Sequence, residues 1–193
     1  MGGVFLKKAI KRVFVCFMLA CLVWCGTLLS DRQRLNRELI RLHVVASSDS
    51  GEDQWRKVLV RDAIVEYLRQ DLKNLTDVEQ AKRYLQEKLP QLKEIAEDTL
   101  YLAGSEEKVE VSLEQEAFDR RDYDTFSLPA GVYEALRIVI GEGEGENWWC
   151  VVFPGLCIPV TTDGFDAVAA GAGFPETLAG ALHRGEGYTV RFL

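Results

Sequence analysis

The spacing of apolar residues changes once along this chain, and that change constrains the fold more than any other feature. Between Val60 and Thr99 apolar residues recur at intervals of three and four, the period of two amphipathic helices. From Lys108 the period is two, which is typical of strands with one buried side. Strands are predicted at Leu39–Ala46, Val109–Leu113, Tyr133–Ile140, Trp148–Phe153 and Tyr188–Leu193. The sequence therefore predicts an α+β fold, in which a helix hairpin packs on one face of a mainly antiparallel sheet.

The starts of the two helices carry capping signals. Ser50 with Asp53 and Thr76 with Glu79 each fit a capping box, in which the first side chain accepts a backbone hydrogen bond from the fourth residue. Pro90 lies within the second helical pattern and is expected to bend or break that helix, because proline has no backbone N–H to donate.

The N-terminal segment predicts export. Val13–Leu29 holds 17 residues without a charge, and a basic cluster precedes it. Such a pattern is typical of a secretory signal or a membrane anchor with its basic side in the cytoplasm, and both alternatives stay open at this length. We expect residues 1–30 to be this signal/anchor helix and residues 31–193 to form a single exported α+β domain.

Charge narrows the range of partners. The first 30 residues hold four basic and no acidic side chains, so the remainder carries 19 Lys and Arg against 30 Asp and Glu, a formal charge of −11. Phosphate groups would be repelled, which argues against nucleic acid or anionic lipid as a partner of the exported part.

The exported part keeps two cysteines, Cys150 and Cys157. Two cysteines alone in an oxidising compartment most often pair, so a disulfide is predicted. A zinc site is the weaker alternative, since neither a CxxC motif nor a nearby histidine supplies further ligands. No metal or other cofactor is expected.

Gly141–Glu146 is an acidic glycine-rich connection between two predicted strands, which we expect to form a hairpin. Its glutamate spacers would repel phosphate, so it does not fit a phosphate-binding loop. Trp148 and Trp149 follow it, and because neighbouring strand residues point to opposite faces, both indoles cannot enter one core.

Enzyme activity has limited support in the sequence. His43 precedes Ser47 and Ser48 closely enough to suggest a nucleophile and base, but a histidine on a sheet followed by helix-capping serines explains the pattern better. A carboxylate pair acting on peptidoglycan is the alternative from another functional class, because 30 acidic residues are available.

Several motifs of the chain resemble the stage II sporulation protein R family. The resemblance covers roughly Leu39–Cys157, in matching order and spacing. It is carried by Leu39–Ser50, Arg61-Asp62-Ala63, Pro129–Arg137, Gly141-Glu142-Gly143, Asn147-Trp148-Trp149-Cys150, Phe153-Pro154 and Leu156-Cys157. The chain departs from the family at Gly155, where a second proline is usual, and at Phe118–Arg121.

The resemblance implies a non-enzymatic signalling protein of endospore formation, exported from the forespore into the space between two membranes. Its implied partner is a membrane-embedded aspartic protease of the mother cell, which then cleaves a sigma-factor precursor. The hypothesis is that the segment Gly141–Cys157 presents the activating surface, with Asn147, Trp148, Trp149, Phe153 and Pro154 as partner-binding residues. Arg41, His43, Asp49 and Asp62 are structural motif residues, and a structural salt bridge is the preferred interpretation of Arg41 and Asp62.

Overall fold

The computed structural model describes residues 2–122 and 127–154 of the 193-residue chain. The helices in this part are α1 (Gly2–Glu38), α2 (Gly51–Leu72) and α3 (Val78–Leu102). The strands are β1 (Ile40–Val45), β2 (Val109–Phe118), β3 (Arg121–Asp122), β4 (Ser127–Leu128), β5 (Gly131–Ile140) and β6 (Asn147–Phe153). The predicted strand Tyr188–Leu193 and residue Cys157 lie outside the described residues.

The N-terminal helix is compatible with a signal or an anchor. Within α1, the 18 residues Ile10–Thr27 are long and apolar enough to cross a membrane, and all of them are exposed. The chain divides into two units, Met1–Leu35 and a second unit that begins at Asn36.

Four strands form a mostly antiparallel sheet in the order β2-β5-β1-β6. β1 runs parallel to β5 and antiparallel to β6, and β2 runs antiparallel to β5. The predicted α+β class is confirmed. The predicted hairpin across Gly141–Glu146 is wrong, because the first strand of the chain occupies the place between β5 and β6 and takes the hydrogen bonds of both.

The helices begin and pair much as predicted. The Ser50 side chain accepts a hydrogen bond from the Asp53 backbone, which confirms Ser50 as the cap of α2. The Ser50 backbone N–H donates to Ser48 Oγ and not to Asp53, so the reciprocal bond of a capping box is absent. Asp77, one residue after the predicted Thr76, caps α3. Cross-helix hydrogen bonds from Tyr67 to Gln91 and from Tyr84 to Asp71 converge toward the short connection, as in an antiparallel hairpin.

Pro90 lies within the continuous helix α3, so of the two predicted effects the break is wrong and the bend stays a prediction. It lies on an exposed position of the helix. At such a position, water can hydrogen-bond the carbonyl oxygen of the preceding turn that a proline leaves without its usual donor.

The core lies between the helix pair and one face of the sheet. β1 contributes Ile40, Leu42 and Val44 to it, every second residue, as strand geometry requires. The helices supply the buried residues Val60, Ile64, Leu68, Leu72, Ala81, Leu85, Leu92, Ala96 and Leu100. The intervening residues of β1 are Arg41, His43 and Val45, which therefore belong to the opposite face, and they too are buried.

Candidate functional site: a polar and aromatic cluster on the opposite face of the sheet

His43 is the centre of the cluster, because both of its ring nitrogens have partners. Nδ1 lies 2.9 Å from Glu116 Oε2 and Nε2 lies 2.7 Å from Asn147 Oδ1. The Glu116 contact is also an ion pair when the ring is protonated, with Nδ1 2.8 Å from Oε1. Contacts at both ring nitrogens thus fix the orientation of a nearly buried imidazole, in the way that hydrogen-bonded networks rigidify polar sites.

Glu116 reaches His43 across an intervening strand. Glu116 pairs with Tyr133 of β5, while His43 pairs with Arg137 of the same strand. Ala135 lies midway between these two positions and points to the same face. Its methyl side chain leaves the space through which the carboxylate and the imidazole meet.

Trp149 contacts the ring face of the His43 imidazole. Its ring stacks on His43 with centroids 5.6 Å apart and an interplanar angle of 26°. The guanidinium carbon of Arg121 lies 3.9 Å from the Trp149 ring centroid. The three side chains thus contact one another in sequence, from a buried imidazole through a half-buried indole to an exposed guanidinium.

Arg41 extends the cluster along β1. Its side chain is fully buried, and its guanidinium carbon lies 4.0 Å from the Phe118 ring centroid and 5.4 Å from that of Tyr133. The Phe118 and Tyr133 rings meet edge to face at 5.9 Å, and Tyr133 donates its hydroxyl to the Pro129 carbonyl oxygen at 2.7 Å. A buried cation thus lies against two aromatic rings.

Trp148 points the other way. It packs against the core on the helix side of the sheet, and the Arg61 guanidinium carbon lies 4.1 Å from its ring centroid. Trp149 contacts His43 on the opposite face. The prediction that the adjacent tryptophans take opposite faces is confirmed.

The glycine-rich connection holds β6 beside β1. It crosses the end of β1, where Glu144 donates its backbone N–H to Ser47 and Gly145 donates to Ala46. A Cβ on Gly145 would lie 2.3 Å from the Ser48 carbonyl oxygen. Glycine is therefore required there by close backbone approach, and the crossing sets the position at which Asn147 enters the sheet.

Asp49 and Lys57 secure the end of this connection. Asp49 Oδ1 accepts the Glu146 backbone N–H at 2.7 Å, and Lys57 Nζ donates to the Glu146 carbonyl oxygen at 2.8 Å. Burial lowers the pKa of Lys57, while the carboxylates of Glu146 and Asp49 oppose that shift. The backbone N–H and the backbone carbonyl oxygen of Glu146 are thus both hydrogen-bonded, to Asp49 just before α2 and to Lys57 within it.

Comparison with known proteins identifies the family. A model of the family described as Stage II sporulation protein R matches residues 36–163, which is more than half of the chain. The chain belongs to the stage II sporulation protein R family. The stage II sporulation protein R of Bacillus subtilis (strain 168) is 40% identical over 120 residues, 62% of this chain. The chain matches 54% of that protein's length, about half of it. No solved structure matches the chain significantly.

The family motifs converge in the cluster. His43 comes from the first motif of the resemblance, and Asn147 and Trp149 come from the Asn-Trp-Trp-Cys motif. β1 and β6, which carry them, are neighbours in the sheet. Residues about one hundred positions apart in sequence are therefore brought into direct contact.

Asp62 does not join the cluster. Its carboxylate pairs with the adjacent Arg61, at 2.6 Å between Asp62 Oδ1 and Arg61 Nη2, on the exposed side of α2. Arg41 lies on the other side of the sheet from α2, so no salt bridge joins it to Asp62. The salt bridge expected at Asp62 forms, but with a neighbour in sequence.

The five predicted partner-binding residues differ in their exposure to solvent. Phe153 and Pro154 are buried, and a register shift in the pairing of β1 with β6 brings Phe153 opposite Ile40 in the core. Asn147 is exposed, and Trp148 and Trp149 are half-buried. The predicted disulfide involves Cys157, outside the described residues, and stays a prediction.

Four members of the cluster were missed from the sequence: Glu116, Phe118, Arg121 and Tyr133. The first two lie beyond Leu113, where the alternation of the predicted strand fades, although β2 continues to Phe118. The acidic residues Glu110, Glu114 and Glu116 keep period two, and that was the signal available.

Among the described residues, no group of three or more His, Cys, Asp or Glu side chains is placed to hold a metal ion. Glu116 and Asn147 occupy both nitrogens of His43. The aromatic and charged side chains around His43 are therefore held in place by contacts at both of its ring nitrogens and on its ring face.

Proposed function

We propose that this protein is an exported signalling protein of endospore formation, which activates a membrane-embedded aspartic protease and so leads to processing of a mother-cell sigma-factor precursor. Family membership over residues 36–163 carries this proposal. In it, residues 1–30 are the signal or anchor and residues 31–193 the exported domain. The exposed apolar segment Ile10–Thr27 supports that division, since it is long enough to span a bilayer.

The contacts of His43 support a binding role over a catalytic one. A general base needs a ring nitrogen within reach of the proton that it removes. In His43 one nitrogen faces a carboxylate and the other faces an amide oxygen. The same contacts hold Trp149 and Asn147 in fixed positions, which is what a recognition surface requires.

The activating surface is proposed to include Asn147 and Trp149. Asn147 is exposed, Trp149 is half-buried, and both project from β6 on the face opposite the helices. Trp148 and Phe153 would act from the core side, by fixing the strand on which that surface lies, and Pro154 is buried next to Phe153 at the end of that strand. The disulfide between Cys150 and Cys157 belongs to the proposal as a further constraint on β6.

Co-expression in non-sporulating cells tests the proposed function. The full chain, the protease and the sigma-factor precursor are expressed together, and precursor processing is followed by immunoblot. We expect processing only when this protein is present and exported. Absence of processing with an exported, folded protein would contradict direct activation and would favour the alternative of an exported peptidoglycan hydrolase.

Loss of the disulfide gives a second measurement in the same cells. Replacing Cys150 and Cys157 together by Ala should weaken processing, because β6 would lose a covalent constraint. Replacing Cys21 by Ala is the control, since this exposed cysteine lies in the apolar segment. Unchanged processing with normal folding would remove the disulfide from the activation mechanism.

A further inference from the structure

Arg121 is an exposed arginine that lies on an aromatic ring and pairs with no carboxylate among the described residues. Arg56, Arg61, Arg69 and Arg137 each pair with a carboxylate of the chain. Arg121 is exposed, and its contact is with the face of Trp149. Among the described residues, no carboxylate or carbonyl oxygen accepts a hydrogen bond from it. In a domain with a large excess of acidic side chains, this guanidinium has kept its hydrogen-bonding edge available.

Trp149, the side chain on which Arg121 lies, is held in place by its own contacts. Stacking on an indole leaves the N–H groups of a guanidinium directed outward in its plane. Trp149 is held from below by His43, and His43 is held at both nitrogens. Little conformational freedom therefore remains to be lost when a ligand binds, which is the advantage of a preorganised site.

Asn147 provides a second donor on the same face. It lies two residues before Trp149 on β6, about 7 Å away along the strand. Its Oδ1 contacts His43, so its amide Nδ2 is left for an outside acceptor. Glu116, the acidic member of the cluster, is engaged by His43.

We propose that Arg121, Trp149 and Asn147 form a docking site for an acidic side chain of the partner protein. A guanidinium binds a carboxylate through two parallel hydrogen bonds, and arginine and tryptophan are the residues that most often dominate interfaces. The proposal rests on the proposed function for the identity of that partner, the external part of the membrane-embedded protease.

An anionic lipid surface is the other ligand that a cation could meet. Lipid binding through charge needs several clustered basic side chains, on the order of four to eight. The docking site offers one arginine, and acidic residues such as Glu110 and Glu114 lie on the same face of β2. A single carboxylate on a protein fits this charge distribution better.

Charge reversal in the co-expression cells is the first test. Arg121→Glu should reduce precursor processing at least tenfold, Arg121→Lys should reduce it less, and Arg69→Glu should leave it unchanged. Arg69 is the matched control because it is exposed on α2, away from the docking site. Secretion and thermal unfolding of each variant show that it folds. Wild-type levels of processing with Arg121→Glu would overturn the inference while leaving the proposed function in place.

A direct binding measurement decides the inference even where the wild type gives no processing. The full chain in phosphatidylcholine nanodiscs carries ¹⁵N in its tryptophan indoles, and Trp149→Phe identifies the Trp149 resonance. A Gly-Glu-Glu-Gly peptide with blocked ends should shift that resonance saturably, and a Gly-Gln-Gln-Gly peptide should not. Arg121→Ala should abolish the shift.

Three results of this measurement would reject the docking site. The first is the same response to both peptides, and the second is no response at millimolar concentration. The third is a shift of the Trp149 resonance when phosphatidylglycerol replaces phosphatidylcholine without any peptide, which would assign Arg121 to the lipid surface.

Discussion

The two faces of the central sheet are built from alternate residues of the same strands but are held together by different physical forces. On the helix side, Ile40, Leu42 and Val44 meet the apolar stripes of α2 and α3. On the opposite face, Arg41 and His43 meet aromatic rings, a carboxylate and an amide. Apolar burial is strong and non-directional, whereas the polar contacts depend on distance and angle.

This difference indicates what each face contributes. Burying an arginine and a histidine is unfavourable unless their partners are well placed, and an apolar face of the same area would often be at least as stable. The opposite face is therefore poorly explained by stability alone. The helix side fixes the fold, and the opposite face fixes the positions of Trp149 and Asn147, which the proposed function assigns to partner binding.

The largest effect is expected on the helix side. Leu85→Ala should lower the free energy of unfolding by about 2–5 kcal/mol, because Leu85 is fully buried in the core and leaves a cavity. Leu102→Ala on the same helix is the control, since Leu102 is 86% exposed. Urea unfolding followed by circular dichroism measures both. Equal losses in the two variants would mean that the helices do not form the core described.

On the opposite face, Glu116→Ala should cost about 1.5–3 kcal/mol, because it removes a hydrogen bond to a nearly buried, chargeable imidazole. Glu114→Ala is the matched control on the same strand and face, with a more exposed carboxylate 3.8 Å from Arg137. The distinguishing result is functional: Glu116→Ala should also reduce precursor processing, whereas Leu85→Ala should act only through the folded fraction. A stable Glu116→Ala variant with full processing would separate the cluster from activity.

The glycine-rich connection leads from β5 to β6 across the end of β1, and Gly145→Ala tests its geometry. The added methyl group would meet the Ser48 carbonyl oxygen, so the backbone must shift at a cost of about 1–3 kcal/mol. Gly51→Ala is the control, because a Cβ at Gly51 meets nothing within 4 Å. Thermal unfolding measures both. Equal stability of Gly145→Ala and the wild type would show that the connection can move away from β1 without loss.

Much of the helix side could be predicted from the sequence, because its information is local. The spacing of Val60, Ile64 and Leu68 follows the helical period, and the Ser50 cap lies within one turn of the residue that it bonds. The opposite orientations of Trp148 and Trp149 follow from the two-residue period of any strand. Each of these inferences needed only neighbouring residues.

The opposite face depends on pairings that local patterns do not contain. Placing β1 between β5 and β6 joins segments about one hundred residues apart, and the local signal around Gly141–Glu146 favoured a hairpin instead. The contact of His43 with Glu116 needs that strand order and a small residue at Ala135. Of the three residues of the proposed docking site, the sequence therefore pointed to Asn147 and Trp149 and not to Arg121.

The smallest effect is expected at the N-terminal end of α2, where a partly buried polar network surrounds Asp53. A hydrogen bond from Ser48 lowers the pKa of Asp53 below its ordinary value of 3.8, and contacts with Ser50 and Arg56 act in the same direction, against the effect of burial. A folded-state pKa below the unfolded one adds stability above the unfolded value. That stability is lost as the pH falls through the folded pKa.

Asp53→Asn should therefore cost about 0.3–1 kcal/mol near pH 7, the usual size for a carboxylate in the first turn of a helix. The difference from the wild type should shrink once the pH falls below 3.8. Urea unfolding at a series of pH values measures it, with Asp62→Asn as the control, since Asp62 is exposed and pairs with its neighbour Arg61. A difference that stays constant down to pH 2 would mean that the Asp53 charge does not matter. The contacts of Asp53 would then contribute through shape alone, and the contrast with the contact of Glu116 to the nearly buried His43 would be sharper.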